Sequence, residues 1–261
     1  MRRTVSVAVI TKNEEANLRR TLESVRWAEE IVIVDSGSTD RTEEIAGEFG
    51  AKFLAEGWRG FGAQKNFAIA QCTGEWVLAL DADEEVSPEL AKEIEALLAG
   101  VPDRDAYFLP RRNFFLGCWM RHGGYWPDPK LRLFRRGRAR FEERTVHETM
   151  QCSGPKGRLR GHLLHHAYPM LESYIEHMNR YSTLGAGQAV AKGKSSRGLL
   201  PFLWNVGVNP TATFLYNYVL RGGFLDGREG LLLHLYHSAY VSWKYAKAWE
   251  RGRSSDLALG R

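Results

Sequence analysis

Three apolar runs in the first hundred residues each end in a short polar motif, and this repeat constrains the fold more than any other feature of the sequence. Residues 5–10 lead into TKNEE, residues 31–34 into DSGSTD, and residues 75–80 into DADE. Segments with apolar residues at helical spacing separate the runs, and strands alternating with helices predict an α/β domain with a mostly parallel sheet. Such sheets bind ligands at the carboxyl ends of their strands, so all three motifs are predicted at one functional edge.

Composition excludes several classes of protein. With 261 residues, 44% of them hydrophobic and 26% charged, the chain can bury a sizeable core and is neither disordered nor fibrous. Three cysteines without a CxxC pair exclude a disulfide scaffold and a thiolate zinc site, and they favour a reducing compartment. The first apolar run, residues 4–10, is only seven residues long and is followed by charged residues, so it is interpreted as a strand and not as a secretion signal.

Charge is segregated along the chain. Residues 1–100 carry 11 Lys and Arg against 19 Asp and Glu, whereas residues 101–191 carry 15 against 8 and residues 192–261 carry 10 against 4. A basic second half suits nucleic acid, anionic lipid or a phosphorylated substrate. No nucleic-acid recognition signature accompanies the arginines, so no nucleic-acid partner is predicted.

The pair Asp81 and Asp83 follows the third run directly. Two carboxylates at this spacing can hold a divalent cation and a ribose hydroxyl together, because hard cations prefer oxygen ligands and often bridge to phosphates. The alternative is an acidic approach to the helix that Ser87 and Pro88 begin, which the helix dipole would favour. With Asp35 at another strand end, the functional interpretation is favoured.

Several segments resemble a known family. VAVITKNEEANLRRTLESV, IVIVDSGSTDRT and WVLALDADEEV resemble the nucleotide-sugar-binding half of family 2 glycosyltransferases with the GT-A fold, over residues 4–90. GWRGFGAQKNFAIAQCTGEW and, more loosely, VHE at 146–148 and LLHHAY at 163–168 resemble the bacterial subgroup of lipopolysaccharide core glucosyltransferases. The resemblance implies an inverting hexosyltransferase that uses a UDP-sugar.

The resemblance implies roles for residues of the first two motifs. Thr11, Asn13 and Glu14 would line the nucleotide pocket. Asp35 would hold the uracil or the ribose. Asp40 would order the SGSTD loop.

It also implies a diphosphate and metal site. Lys65 would neutralise the diphosphate, Asp81 would contact the ribose or the metal, and Asp83 would bind Mg²⁺ or Mn²⁺. His165 is a candidate third ligand, although a histidine on a mostly apolar strand is also typical of a satisfied core residue. Gly60, Gly62 and Gln64 favour a tight loop near Lys65 that a ligand can approach.

The catalytic base is expected in the second half, where the acceptor would enter. A carboxylate can take the proton of the attacking hydroxyl. Glu148 in VHE is the favoured candidate, with Glu142, Glu143 and Asp128 as alternatives. Many family 2 enzymes use a Glu-Asp pair that this chain lacks, which leaves the choice open. Arg111, Arg112, Arg132 and Arg135 are candidates for an anion-binding wall, with a solvated strand face as the alternative.

Three regions are predicted. Residues 1–100 form the nucleotide-sugar-binding half, residues 101–168 the acceptor-binding and catalytic half, and residues 169–261 a helical C-terminal region. Residues 198–220 carry no charge but contain prolines and asparagines, which disfavours a membrane span. Two interpretations of this region stay open: broken helices lying in a membrane interface, and a helical subdomain packed on the core or on a second subunit of a homo-oligomer.

The predicted function is transfer of a hexose, with glucose favoured, from a UDP-sugar to a glycolipid or saccharide acceptor at the cytoplasmic face of the inner membrane. An acceptor belonging to another surface polysaccharide or to a lipid carrier is the nearest alternative. A non-enzymatic basic module that binds nucleic acid or lipid is a remote one. A nucleotidyltransferase would share the α/β layout, but TKNEE lacks the Gly-rich loop with arginine that such an enzyme would show.

Overall fold

The computed structural model describes residues 3–142, 149–194, 196 and 198–258, with side chains as far as residue 253. The strands are β1 (Val5–Thr11), β2 (Glu30–Asp35), β3 (Lys52–Ala55), β4 (Trp76–Asp81), β5 (Glu84–Val86), β6 (Ala106–Phe115), β7 (Cys118–Trp119), β8 (Asp128–Arg135), β9 (Ala139–Phe141), β10 (Met150–Cys152), β11 (Lys156–Arg158) and β12 (Leu163–Tyr168). The α-helices are α1 (Leu18–Glu23), α2 (Thr42–Glu48), α3 (Phe61–Ala70), α4 (Pro88–Ala99), α5 (Leu171–Ala191), α6 (Leu199–Leu203), α7 (Asn209–Phe214) and α8 (Gly227–Ala258). Two π-helical turns, Trp204–Val208 and Leu215–Leu220, join α6 to α7 and extend α7, and a 3₁₀ turn spans Gly223–Asp226.

A mixed sheet forms the centre of the fold, with the order β3-β2-β1-β4-β8-β6-β12-β5. The four strands of the first hundred residues at one end, β3-β2-β1-β4, are parallel to each other, as the alternation of strands and helices predicts. β8 then pairs antiparallel with both β4 and β6. The α/β prediction is therefore confirmed, and the parallel order holds for the half of the sheet that carries the three polar motifs.

The central strands read as continuous apolar runs because both faces of the sheet are covered. On one face, Val7 of β1 joins a core with Leu18 of α1 and Leu90 of α4. On the other face, Ala8 of β1 joins a second core with Ala68 of α3. These two layers fix β1 and its neighbours, so the residues that follow them are held at one edge.

Helix α4 begins and ends as its sequence predicts. The hydroxyl of Ser87 accepts a hydrogen bond from the backbone N–H of Leu90 (3.2 Å), Pro88 occupies the first turn, and Gly100 follows the last residue. The helical spacing of Leu90, Ile94 and Leu97 predicts that these three residues face the core. Leu90 and Ile94 are buried, but the third buried residue is Leu98, and Leu97 is only half-buried.

The chain contains two compact units. The first comprises residues 1–112 and 127–166, and the second comprises residues 113–126 and 167–261. In the second unit, Phe115, Met120, Tyr174 and Leu233 form the buried core, and the rings of Phe115 and Tyr174 meet edge to face with centroids 5.2 Å apart. Among the helices that the structure describes, none combines the length and apolar character needed to cross a bilayer. The three-part functional division at residues 100 and 168 stays a prediction.

Candidate active site

Asp35, at the end of β2, organises the loop that follows it. Its Oδ2 accepts hydrogen bonds from the hydroxyls of Thr11 (2.8 Å) and Ser38 (2.5 Å), and its Oδ1 accepts from the N–H groups of Gly37 (2.9 Å) and Ser38 (2.7 Å). Gly37 has φ +87°, a backbone conformation that residues with a side chain rarely adopt. The carboxylate is 3% exposed, and four bonds use its acceptor capacity. In this structure Asp35 therefore shapes the loop from within, whereas the resemblance assigns it a direct contact to the nucleotide.

The ends of β1 and β2 are joined by reciprocal hydrogen bonds. Asn13 adopts φ +56°, which asparagine tolerates better than most residues, and its side-chain oxygen accepts from the N–H of Thr39 (2.8 Å). Asp40 accepts from the N–H groups of Glu15 (3.0 Å) and Thr42 (3.0 Å). Asp40 therefore links the SGSTD loop to the residues that follow β1, and α2 begins at Thr42.

Glu14 lies beside this loop in an unfavourable environment for a charged carboxylate. Burial raises the pKa of Glu14 to about 7; the hydrogen bond from Asn17 opposes this shift, and the nearby carboxylates of Asp83, Asp40 and Asp81 add to it. Like charges close together make ionisation of each costlier. The acidic motifs therefore lie close enough to interact electrostatically.

Asp81, at the end of β4, is held between two cations. Its Oδ1 lies 2.6 Å from Nζ of Lys65, and its Oδ2 lies 2.5 Å from a guanidinium nitrogen of Arg132. Burial by itself raises the pKa of Asp81, but Arg132 and Lys65 hold that pKa well below its usual value. Lys65 and Asp81 therefore form a close ion pair, and the diphosphate role of Lys65 stays a prediction.

Glu84 belongs to the same cluster of charged residues as Asp81, Lys65 and Arg132, and no pattern in the sequence predicts a role for it. It is fully buried, and its Oε1 accepts from guanidinium nitrogens of Arg132 (2.8 Å) and Arg111 (2.9 Å). Its Oε2 accepts the N–H of Asp81 (3.0 Å). Arg111 also bonds Asp128 (2.8 Å). Two arginines of the expected anion-binding wall are therefore committed to carboxylates in this structure, and the sequence marks Glu84 only as the third acidic residue of DADE.

Asp83 and His165 are brought together from distant parts of the sequence. Oδ2 of Asp83 lies 3.3 Å from Nε2 of His165, and the N–H of His166 donates to the carbonyl of Asp83 (3.0 Å). Burial opposes ionisation of Asp83, but the charge and hydrogen bond of His165 lower its pKa. Asp83 and His165 therefore lie in one cluster, and their roles in metal binding stay predictions.

The donor set suits a hard divalent cation that is completed by substrate. Asp83 is one quarter exposed, while both oxygens of Asp81 are already bonded. In the described part of the chain, no group of three or more His, Cys, Asp or Glu residues comes together as a metal cage. Mg²⁺ usually takes one or two carboxylates and leaves its other positions to water and phosphates, so Asp83 with a diphosphate fits it.

The structure describes two of the four candidates for the catalytic base. Glu148 and Glu143 lie outside the described residues. Glu142 is half-buried and accepts hydrogen bonds from the hydroxyl of Thr149 (2.7 Å) and from Gln151 (3.1 Å). For Asp128, burial is outweighed by Arg111 and Lys130, which lower its pKa to about 2. So acidic a group is a poor proton acceptor.

The parallel strands and the charged cluster at their carboxyl edge define an α/β domain of the GT-A type. The family model described as glycosyl transferase family 2 matches residues 6–163. The chain belongs to this family and is a glycosyltransferase, which confirms the resemblance found in its motifs.

Curated relatives extend the match beyond the family model. The chain is 34% identical over 259 residues to "Lipopolysaccharide core biosynthesis glycosyltransferase LpsC" of Rhizobium meliloti, covering 95% of this chain and 92% of the relative. It is 31% identical over 247 residues to an uncharacterized glycosyltransferase of Rickettsia typhi, covering 87% and 80%.

Solved structures are more distant. TarS of S. aureus in complex with UDP-GlcNAc aligns with 97% of this chain and 92% of its own at 15% identity and a TM-score of 0.48. Glucosyl-3-phosphoglycerate synthase of Mycobacterium tuberculosis, in complex with Mn²⁺, UDP and glucosyl-3-phosphoglycerate, aligns with 43% of this chain and 44% of its own at 26% identity and a TM-score of 0.33.

Proposed function

We propose that this chain transfers a hexose, with glucose favoured, from a UDP-sugar to a membrane glycolipid in lipopolysaccharide core biosynthesis, with inversion at the anomeric carbon. The name of the Rhizobium meliloti relative, which matches nearly the whole chain, supports the pathway. The proposed place of action is the cytoplasmic face of the inner membrane.

One observation carries the proposal: the three polar motifs meet at adjoining strand ends. Thr11 of β1 is in register with Asp35 of β2, and Ile10 of β1 is in register with Asp81 of β4. Carboxyl ends of parallel strands are where such sheets bind nucleotides. The loop ordered by Asp35 and Asp40 would form one wall of the nucleotide pocket, and Asn13 and Glu14 would form the adjoining one.

The departing diphosphate needs positive charge beside it. Lys65 would stabilise the developing charge of the leaving group, while the buried Arg132 stays paired with Asp81 and Glu84. Asp83, with His165 beside it, would hold Mg²⁺ or Mn²⁺, which when bound supplies further charge stabilisation to the diphosphate. The role of Asp81 would be to hold the two cationic side chains in place and to contact the ribose.

The acceptor hydroxyl must lose a proton as it attacks. Glu148 remains the proposed base, because it lies in the segment that resembles the glucosyltransferase subgroup. Asp128 is less suited, since its low pKa leaves it little tendency to take a proton. Replacing Glu148 by Gln should abolish transfer to the acceptor while UDP binding persists.

Calorimetric titration tests the donor site. The chain should bind UDP and UDP-glucose more tightly with Mn²⁺ than without it, and Asp83→Asn should remove this dependence on the metal. Asp103→Asn is the matched control, because Asp103 is exposed and lies in the turn before β6, outside the charged cluster. Metal-enhanced UDP binding that survives unchanged in Asp83→Asn would contradict the assignment.

Turnover assays on core-truncated glycolipid extracts identify the acceptor. Transfer of glucose from UDP-glucose to these extracts is the expected result. Transfer only to a polyprenyl-phosphate carrier or to another surface polysaccharide would replace the proposed acceptor but would keep the glycosyltransferase assignment.

A further inference from the structure

The second compact unit exposes a long helical face that carries no charge. Residues 199–220 form a nearly continuous helix from α6, α7 and the two π-helical turns, about 30 Å long at the rise of a helix. Its outward side chains include Leu200 and Leu220, which are 79% and 77% exposed. We call this surface the apolar face, and its members are Leu200, Leu203, Trp204, Val208, Leu215, Tyr216, Val219 and Leu220.

The two π-helical turns keep the exposed side chains on one side of the helix. Exposed positions recur in pairs every four residues, at 203–204, 207–208, 211–212, 215–216 and 219–220. An α-helix with 3.6 residues per turn would rotate such a repeat steadily around its axis. Turns closed by i→i+5 hydrogen bonds are wider, so alternating them with α-helical turns brings the average close to four. The apolar side chains therefore stay on one side over the full length.

The opposite side of the same helix is packed. The hydroxyl of Ser238 on α8 donates to the carbonyl of Pro210 (2.8 Å), and that of Ser242 donates to the carbonyl of Val206 (2.8 Å). The rings of Phe202 and Trp249 meet with centroids 5.2 Å apart. The helix is thus anchored to α8 along one side, which leaves the apolar face as its open side.

The charges around this face favour an anionic partner. From residue 177 to residue 225 the sequence contains five Lys or Arg and no Asp or Glu. Lys192 and Lys194 are exposed before the apolar face begins, and Arg221 is exposed directly after it ends. Cations at both ends and apolar side chains between them match an anionic lipid surface met along the whole helix.

A second copy of the chain matches this face less well. Pairing two apolar faces in an antiparallel manner would set Lys192 and Lys194 against Arg221 of the other copy, and parallel pairing would set the lysines against each other. Like charges facing each other oppose association. A bilayer with anionic headgroups removes this conflict.

We propose that the apolar face lies flat in the headgroup region of an anionic membrane, an inference that rests on the proposed glycolipid acceptor. Its leucines and valines reach the acyl boundary, Trp204 and Tyr216 lie at headgroup depth, and the basic ends contact lipid phosphates. The surface would hold the enzyme where its lipid acceptor is found.

Vesicle flotation with the full chain tests this surface. The wild type should float with phosphatidylcholine vesicles that contain phosphatidylglycerol and much less with phosphatidylcholine alone. Leu203→Glu combined with Leu220→Glu should weaken binding by roughly tenfold or more, because it places charge in the apolar boundary. Lys192→Gln combined with Lys194→Gln should cost about fivefold per charge on the anionic vesicles only.

Val101→Glu is the matched control, since Val101 is an exposed apolar residue of the first unit and its replacement should leave flotation unchanged. Circular dichroism and UDP titration establish that each variant is folded. Absence of flotation by the wild type, or unchanged flotation of the double leucine variant, overturns the inference. So does a wild-type dimer that the leucine variant dissociates, because a second copy would then cover the face. Failure of UDP binding in the wild type would refute the proposed function instead, and flotation is read independently of it.

Discussion

Glu84 makes the sharpest prediction, because a single fully buried carboxylate supports both arginines of the charged cluster. Glu84→Gln keeps the shape of the side chain and removes its charge. It also places an NH₂ group where Glu84 now accepts hydrogen bonds from Arg132, Arg111 or the N–H of Asp81. We therefore expect this variant to lose stability and to disturb Asp81, although Glu84 itself has no proposed contact with substrate.

The size of the expected stability loss follows from the burial of Glu84 and its arginine partners. Removing one member of a buried ion pair costs about 3–5 kcal/mol, because the remaining charge is left uncompensated. Arg111 keeps Asp128, and glutamine keeps one acceptor oxygen, so we expect a loss near the lower limit, about 3 kcal/mol. Domains are stable by about 5–15 kcal/mol, so the variant should still fold and its urea midpoint should fall clearly.

Glu85→Gln is the matched control at the next position. Glu85 is one quarter exposed and lies 3.3 Å from His166 and 3.7 Å from Arg20, and pairs of this kind contribute about 0–1 kcal/mol. Urea denaturation gives the two free energies of unfolding, and calorimetry gives the affinity for UDP, which should fall by about tenfold in Glu84→Gln as Asp81 shifts. Equal stability losses in the two variants would refute the reasoning, since burial would then make no difference.

Two further predictions concern stability. The pKa of Glu14 is about 7 in the folded state against an ordinary 4.5, so the folded state loses stability as the pH rises from 4.5 to 7. The urea midpoint of the wild type should therefore fall relative to that of Glu14→Gln over this interval. A constant difference between the two midpoints would contradict the raised pKa. Gly74→Ala should destabilise the fold by about 1–3 kcal/mol, because a Cβ at this position would lie 2.7 Å from Oγ and 2.8 Å from the backbone nitrogen of Ser6. Gly47→Ala, in an open position of α2, should be neutral or slightly stabilising in the same denaturation assay.

The local elements could be predicted from the sequence because their signals are local. Apolar runs located β1, β2 and β4 to within a residue at each end. Apolar residues at helical spacing over 171–181 likewise indicate the first part of α5. Helix α4 shows where this reasoning weakens: its cap at Ser87 was predictable, but the choice between Leu97 and Leu98 as the third buried residue depends on the packing of the helix against the sheet. Apolar periodicity shows which side of a helix faces the core, and tertiary contacts decide which residues at the border of that side are buried.

The sequence by itself determined which chemical groups stand at the ends of the parallel strands, since a buried strand followed at once by Thr11, Asp35 or Asp81 has no other place for them than the carboxyl edge. Only the tertiary structure decided how those groups are paired. Arg132 reaches Asp81 because β8 is inserted antiparallel beside β4, and His165 reaches Asp83 because β12 pairs with β5. Such contacts join residues that are tens of positions apart, and they depend on a strand order that no local pattern in the sequence encodes.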